Sequence, residues 1–350
     1  MDKTTRIPTP VEMRVSTHVI GDGHPTFFVV EEGQANDGNY ELAIKIIGLA
    51  ARVGADAIEF QFAIADDFYV STHPNHAIYK AREFSQEQLI GLQETATKHG
   101  ILISASPLSD CLVERLVEAG YSLFNVNSSD IGNPRILDAI AETKVPLMIG
   151  TAMATTDEID WAVKRLQQHR CGPFCLLHGQ HVMTTSGGGG VAESDVSLST
   201  IRYLRDRYHL PVGYIDHTST EMISALAVSH GAVVVTKHLS PRPGWRGPDW
   251  QICLTPEKMT KCIQFVRLAD VARGNPEKVL TLGELSDRSQ MRRSIVAKCD
   301  LPIGTVLRAE HLLLKRPGAG LESQYLESII GKRLNVSVKG DEQIQLDYLV

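Results

Sequence analysis

The sequence predicts an α/β protein: a closed (β/α)8 barrel, the TIM-barrel class, followed by a small β-rich domain. Three observations predict it. Short apolar runs alternate with amphipathic helical stretches eight times over about 250 residues, the rhythm of a TIM barrel. The last of these runs are valine-rich and apolar throughout, as expected of parallel strands buried on both faces. After about Ala272 the alternation stops, and short strand-like runs broken by Gly and Pro take over. An open doubly wound sheet is the alternative. It is weakened because no G-x-G-x-x-G follows the first strand.

The elements follow in order. Phe27–Glu31 (FFVVE) reads as a strand, preceded by the turn-rich GDGHP. Tyr40–Val53 has helical periodicity and stops at Gly54. Ala57–Phe62 is the next strand, and Ser85–His99 a helix opened by a capping box from Ser85 to Gln88. Strands at Ile101–Ser104, Leu123–Val126, Leu147–Ile149 and Phe174–His178 alternate with helices at Cys111–Glu118, Pro134–Ala141, Thr156–Gln168 and Asp195–Tyr208. The segment Pro211–His238 is one β–α–β unit. It has a strand at Val212–Ile215, a helix capped by Thr218 or Ser219 that runs to about Ser229, and a strand at Ala232–His238. A helix over Pro256–Ala272 closes the series. The domain boundaries predicted are a barrel over 1–272, an irregular polar linker over 273–292 and a β-rich domain over 293–350, with strand-like runs SIVAK, GTVL, LNVSV and QIQL.

Composition narrows the function classes. The chain has 350 residues, 43% hydrophobic and 22% charged, ordinary for a globular protein. A net charge of −6 argues against general nucleic-acid binding, which needs a basic balance. No run of about 18 apolar residues spans a membrane, and the first residues hold no apolar signal-peptide core. The six cysteines form no C-x-x-C pair, so reduced thiols in a cytoplasmic protein are expected.

The chemistry is expected at the carboxyl ends of the strands, where barrel active sites lie. His217 and His238 each end a strand of the Pro211–His238 unit. Two imidazoles from neighbouring strands suit one divalent metal; the alternative is two polar strand-end residues bonded to nearby backbone. In AIEFQ, alternation puts Glu59 and Gln61 on one face and Ile58 and Phe60 on the other. The apolar pair suits the helix layer, so Glu59 points into the barrel. There a carboxylate needs a metal, a cation or a proton. The expectation is contact with the metal's surroundings or a pair with a lysine or arginine. Gly187–Gly190 is not followed by Lys-Ser or Lys-Thr, so it is no P-loop. It reads as a loop over the mouth or a plain flexible linker.

These residues bring a family into view. VEEGQANDGNYELAIKII, GADAIEFQ, GYIDHT, TKHLS and GPDW follow one another as the motif blocks of the sialic acid (N-acetylneuraminate) synthases do, and LLKRPGAGL and IIGKRLNVSVKGDEQI resemble their C-terminal blocks. The chain therefore resembles that family from about Phe27 to Val350. The resemblance implies a TIM barrel joined to an antifreeze-like (SAF, β-clip) domain, working as a domain-swapped homodimer. It implies condensation of phosphoenolpyruvate with an open-chain N-acetylmannosamine-type aldehyde. It also implies a divalent metal, Mn2+ or Mg2+, on His217 and His238, and Glu31 as the carboxylate handling water or a proton. Arg316 in KRPGAG then reaches the sugar's N-acyl group in the partner's barrel, its planar fork suited to a carbonyl. The matching blocks add Gln61, Ser128, Asp216 and Asp249 as substrate-binding candidates; Asn125 and Glu59, which depart from the blocks, are candidates by position, the first for substrate binding and the second as a further catalytic carboxylate.

The departures concern charge. Where the family has lysines that hold the carboxylate and phosphate of phosphoenolpyruvate, this chain has Glu59 and Asn125. Thr236 stands at the acid of E-K-H, Ala35–Asn36 at the Asn-His pair, and Gly179 at the cysteine of L-H-C. Each close pair with an anion lost is worth about 4 kcal/mol at an effective dielectric of about 20. Three readings compete: Arg242 and Arg246 replace the lost cations; a donor other than phosphoenolpyruvate is used, with Glu59 as a third metal ligand or general base; or the chain is a non-catalytic dimeric relative.

Overall fold

The structure, a computed structural model, describes residues 12–182, 190–274 and 277–350. They divide into two compact units, residues 1–274 and 275–350. The first begins with an antiparallel hairpin, β1 (Glu12–Val15) and β2 (His18–Gly21). Eight parallel strands follow: β3 (Phe27–Glu31), β4 (Ala57–Phe62), β5 (Leu102–Pro107), β6 (Phe124–Val126), β7 (Leu147–Gly150), β8 (Phe174–Gly179), β9 (Val212–Asp216) and β10 (Val234–His238). They close into a barrel because β10 pairs with β3. The closed barrel of the sequence reading therefore holds, and the open sheet does not.

The wrapping helices are α1 (Tyr40–Val53), α2 (Ala65–Phe68), α3 (Pro74–Lys80), α4 (Gln86–Lys98), α5 (Leu112–Glu118), α6 (Pro134–Thr143), α7 (Thr156–Gln168), α8 (Ser199–Tyr208), α9 (Ile223–Ser229) and α10 (Pro256–Arg273). Their starts follow local chemistry. Ser85 and Thr155 make reciprocal capping boxes with Gln88 and Glu158, satisfying amide donors that a helix start leaves unpaired. Gly54 ends α1 at φ 90°, a left-handed position where glycine is least strained.

The alternation read from the sequence sorts the strand side chains into two layers. Phe28, Val30, Ile58, Phe60, Ile103, Phe124, Leu176, Tyr214 and Val235 belong to the core between barrel and helices. Phe27, Val29, Ala57, Leu123, Met148, Cys175, Leu177, Ile215 and Val234 form a separate inner core with Met13, Val15 and Ile20 of the hairpin. The hairpin plugs the amino end of the barrel, and apolar side chains fill the interior up to the level of Glu31 and Glu59. The remaining inward positions, at the carboxyl ends, are polar.

Several expectations differ from the structure. α9 starts at Ile223, not at a cap from Thr218 or Ser219, because Thr218 turns its hydroxyl and amide onto the Asp216 carboxylate instead. α8 starts at Ser199 after a short 3-10 turn at Glu193–Asp195. The stretch read as irregular linker holds α11 (Leu282–Met291), opened by a Thr281–Glu284 capping box. The hairpin, α2 and α3 were not anticipated; each is too short for periodicity to register. Gly187–Gly189 of the glycine run lie outside the described residues, and Gly190 is at φ 77°.

In the second unit β11 (Ser294–Ala297) pairs antiparallel with β12 (Leu312–Lys315), and α12 (Leu326–Ile329) follows. GTVL, LNVSV and QIQL contribute isolated bridges such as Val306–Arg333, Leu334–Leu349 and Val296–Gln343. Ile295, Leu301, Leu307, Leu334, Val338 and Ile344 are core residues of this unit.

Candidate metal centre and barrel mouth

β3 and β10 are neighbours in register, His238 opposite Glu31, so their last side chains meet. Glu31 Oε2 lies 3.1 Å from His238 Nε2, and Glu31 Oε1 accepts the Thr236 hydroxyl at 2.5 Å. His217, the residue after β9, brings its ring centroid to 5.3 Å from that of His238. Glu31, His217 and His238 are all buried, and each offers one ligand atom within 4.8 Å of the others. Two imidazoles and a carboxylate form a mixed nitrogen and oxygen set of the kind that holds a divalent transition metal.

Surrounding contacts orient these groups. His217 Nδ1–H donates to the Gln180 carbonyl at 2.6 Å, which fixes the tautomer and leaves Nε2 its lone pair. Burial, with His238 beside it, pushes His217 down to about 4, so its ring is neutral near pH 7. Burial also disfavours a charged His238, but the Glu31 carboxylate outweighs it and raises the ring to about 9. Burial raises Glu31 in turn, and His238 overrides that and holds it at about 2. Without a cation, Glu31 and His238 are therefore an ion pair. His238 Nδ1 is buried without a hydrogen-bond partner. Asp249 flanks the group: a Cβ on Gly33 would sit 3.4 Å from Asp249 Oδ2 and against the His238 ring. Burial raises the Asp249 carboxyl, with His238 opposing.

The next inward positions are a different pair. Glu59 lies opposite Glu31 in register, and Asn125 Nδ2 donates to Glu59 Oε1 at 2.8 Å. Glu59 points inward toward Asn125, as alternation predicts. Of the two partners expected for it, the metal's surroundings or a lysine or arginine, the second is not among its contacts: an amide takes that place. Burial, reinforced by the charge of Glu31, raises Glu59 to about 8, which fits the proton among the three solutions read from the sequence.

The other candidates sort by position. Ser128 follows β6 and accepts the Ala152 amide at 3.2 Å. The Gln61 carbonyl accepts from Gln34 at 2.8 Å. Asp216 is turned to the helix layer, where Lys237 at 2.9 Å and the Thr218 and Ser224 hydroxyls at 2.7 and 2.6 Å occupy its carboxylate. Arg242 is exposed. Arg246 lies over the Trp250 ring, 3.9 Å from its centroid. Arg316 is exposed, just after β12.

Sequence reasoning missed three roles, the first of them that of Thr236, which it named only as a departure from the family block. Thr236 anchors Glu31; its inward position could have been read by counting back two from His238. Glu32 is fully buried and accepts from the Gln34 amide and the Asn36 side chain at 3.1 and 2.8 Å, shaping the loop after β3. Burial raises it to about 7, with Asn36 opposing. The Gln180 carbonyl orients His217. A backbone carbonyl carries no residue-type signal, and nothing in the sequence could have marked it.

Fold and site together define a TIM barrel with two histidines and a carboxylate gathered at its mouth. Residues 46–278 match the model of the NeuB family, and residues 292–350 that of the SAF domain. The chain belongs to the NeuB family. An uncharacterised protein of Methanocaldococcus jannaschii is 30% identical over 97% of this chain and 99% of its own. An N,N'-diacetyllegionaminic acid synthase of Legionella pneumophila is 29% identical over 94% of this chain and 96% of its own. The N-acetylneuraminate-9-phosphate synthase of Homo sapiens is 29% identical, covering 93% of each chain. Among solved structures, the N-acetylneuraminic acid synthetase of Leptospira borgpetersenii superposes with a TM-score of 0.74 at 27% identity, covering 80% of this chain and 96% of that one.

Proposed function

We propose that this chain is a nonulosonic acid synthase-type enzyme that forms a carbon–carbon bond at the aldehyde of an open-chain, N-acetylmannosamine-type sugar. The convergence of Glu31, His217 and His238 within 4.8 Å carries the reading. A divalent cation held there, Mn2+ or Mg2+, supplies Lewis-acid polarisation of a carbonyl oxygen. His217 offers a neutral nitrogen, and Thr236 keeps Glu31 from swinging away. The relatives named as synthases, similar over more than nine-tenths of the chain, support carbohydrate condensation, with phosphoenolpyruvate as donor. Asp249, Ser128 and Gln61 are proposed substrate contacts. Arg316 is proposed to reach the sugar from the partner of a homodimer.

A second reading is favoured by the Glu59–Asn125 hydrogen bond of 2.8 Å. Where a phosphate-bearing donor calls for cations, the mouth has a carboxyl and an amide. On this reading the metal and the aldehyde chemistry are kept, and the donor carries no phosphate. The experiment is phosphate release from phosphoenolpyruvate across a panel of N-acyl hexosamines and hexoses, with and without Mn2+. Mn2+-dependent release with one sugar supports the first reading. Condensation without release, followed by mass spectrometry with pyruvate-type donors, supports the second. No product in either arm sinks both. For the dimer, mixing Arg316→Ala with His217→Ala chains should restore part of the activity, since one mouth of a mixed dimer keeps both groups.

A further inference from the structure

Five buried polar atoms without a hydrogen-bond partner lie at the carboxyl-end mouth: Glu59 Oε2, Ser104 Oγ, Asn125 Oδ1, Gln180 Oε1 and His238 Nδ1. A buried polar atom left unpaired costs about 1–3 kcal/mol, so such a cluster marks where a ligand completes the bonding. His238 Nδ1 belongs to the candidate metal centre. Glu59, Ser104 and Asn125 form a separate floor on β4, β5 and β6. Ser104 stands opposite Glu59 in register, and the three are 1%, 0% and 5% exposed. Asn125 donates one amide N–H to Glu59 Oε1, which leaves Asn125 Oδ1 as an open acceptor and Glu59 Oε2 as an oxygen that donates when protonated and accepts when ionised.

The charge of this floor decides what it can hold. Lys237 is the one lysine or arginine in the eight barrel strands. It is fully buried and turned away, with its ammonium on the Thr218 carbonyl at 2.6 Å and on Asp216. Arg82, near the mouth, is engaged by the Asp37 carboxylate through Nε at 2.9 Å. A phosphate over Glu59 and Asn125 would find no free lysine or arginine of the barrel strands and an acceptor-only oxygen on Asn125, whereas a hydroxyl group donates to Asn125 Oδ1 and accepts from the Ser104 hydroxyl. We infer that Glu59, Ser104 and Asn125 form a subsite for the hydroxyl groups of an uncharged polyol segment of the substrate, not for a phosphate. The inference rests on the second reading above and names the ligand class that reading leaves open.

Saturation-transfer NMR on the full chain tests it, with erythritol and D-mannitol as neutral probes and phosphoenolpyruvate and inorganic phosphate as anionic ones. The expected result is saturable polyol binding at least 10-fold tighter than that of either anion. Ser104→Ala and Asn125→Leu should each weaken it 5-fold or more, and Glu59→Lys combined with Asn125→Lys should reverse the preference toward phosphate. If Asn125→Leu fails to fold, Ser104→Ala decides. Tighter binding of phosphoenolpyruvate than of either polyol overturns the inference, as does polyol binding indifferent to both single changes. Calorimetric Mn2+ titration of the same samples reads the metal centre separately. Failure of the metal reading is thereby told apart from failure of the polyol subsite.

Discussion

Gly33 backs directly onto His238: a Cβ on Gly33 would lie 2.3 Å from Nδ1 of that ring. Gly33 is also left-handed, with φ at 57°, so a side chain there meets backbone strain as well as collision. Glycine is what lets the turn after β3 close over the histidine. Gly33→Ala should therefore push the ring out of line and weaken Mn2+ binding 10-fold or more. Gly54→Ala is the control: it is also left-handed, at φ 90°, but nothing lies within 4 Å of the added carbon. It should cost about 1 kcal/mol of stability and leave metal affinity alone. Equal metal affinity in the Gly33 variant and the wild type would count against a cation on His238.

The two histidines should part company when each is removed. His217 is neutral and bonded only to a carbonyl, whereas His238 is the counter-charge of a buried carboxylate. Both alanine variants should lose Mn2+ binding by calorimetry. In metal-free protein at neutral pH, His238→Ala strands the Glu31 charge and should cost about 3–5 kcal/mol. His217→Ala should cost under about 2 kcal/mol. Similar losses in urea denaturation for the two would mean that the Glu31–His238 pair is not ionised.

Much of this was legible in the residues, for identifiable reasons. β3, β4, α1 and α7 are bounded as read from the sequence, because apolar runs, capping residues and a terminal glycine are local signals. The inward aim of Glu59 followed from a period of two. For Glu31 the sequence reading weighs a bond to a neighbouring histidine as the alternative to a catalytic role; the barrel closure read from the sequence, which brings β10 beside β3, makes His238 that histidine. Asp216 was a candidate because the GYIDHT block resembles the family's. One step along a strand turned it to the opposite face, where Lys237 and Ser224 bind it. The lysine or arginine weighed as a partner for Glu59 is replaced by an amide, and the proton weighed beside it agrees with the raised pKa. A raised pKa and an amide are another way to stabilise a buried carboxyl.

Glu59 should make the protein lose stability as pH rises. Its carboxyl titrates at about 8 in the fold against 4.5 as the ordinary value, so the folded state holds the proton more tightly than the unfolded one. That stabilisation is fully present below about pH 4.5 and is lost as pH climbs through 8. Glu59→Gln keeps an oxygen for Asn125 and has no proton to lose. Between pH 5 and 8 its unfolding free energy should gain on the wild type by up to about 1.4 kcal/mol per pH unit. Denaturation curves of metal-free protein at pH 5, 6.5 and 8 measure it. Parallel pH dependence in the two proteins would show that Glu59 is ionised in the fold.

Lys237 should prove structural despite its place next to His238. Its side chain is wholly buried, as is that of Asp216, at a separation of 2.9 Å. The pair ties β10 to the segment after β9 through Thr218, and it faces the helices, not the mouth. Lys237→Met keeps most of the volume but leaves the Asp216 carboxylate with only an amide and two hydroxyls. Removing one partner of a buried pair typically costs about 3–5 kcal/mol, and the loss should appear in urea denaturation. Adding Asp216→Leu should recover part of it, because the pair is then replaced rather than broken. Mn2+ affinity should change less than 3-fold wherever the variants fold. Lost metal binding with stability unchanged would place the Lys237 ammonium in the site's chemistry instead.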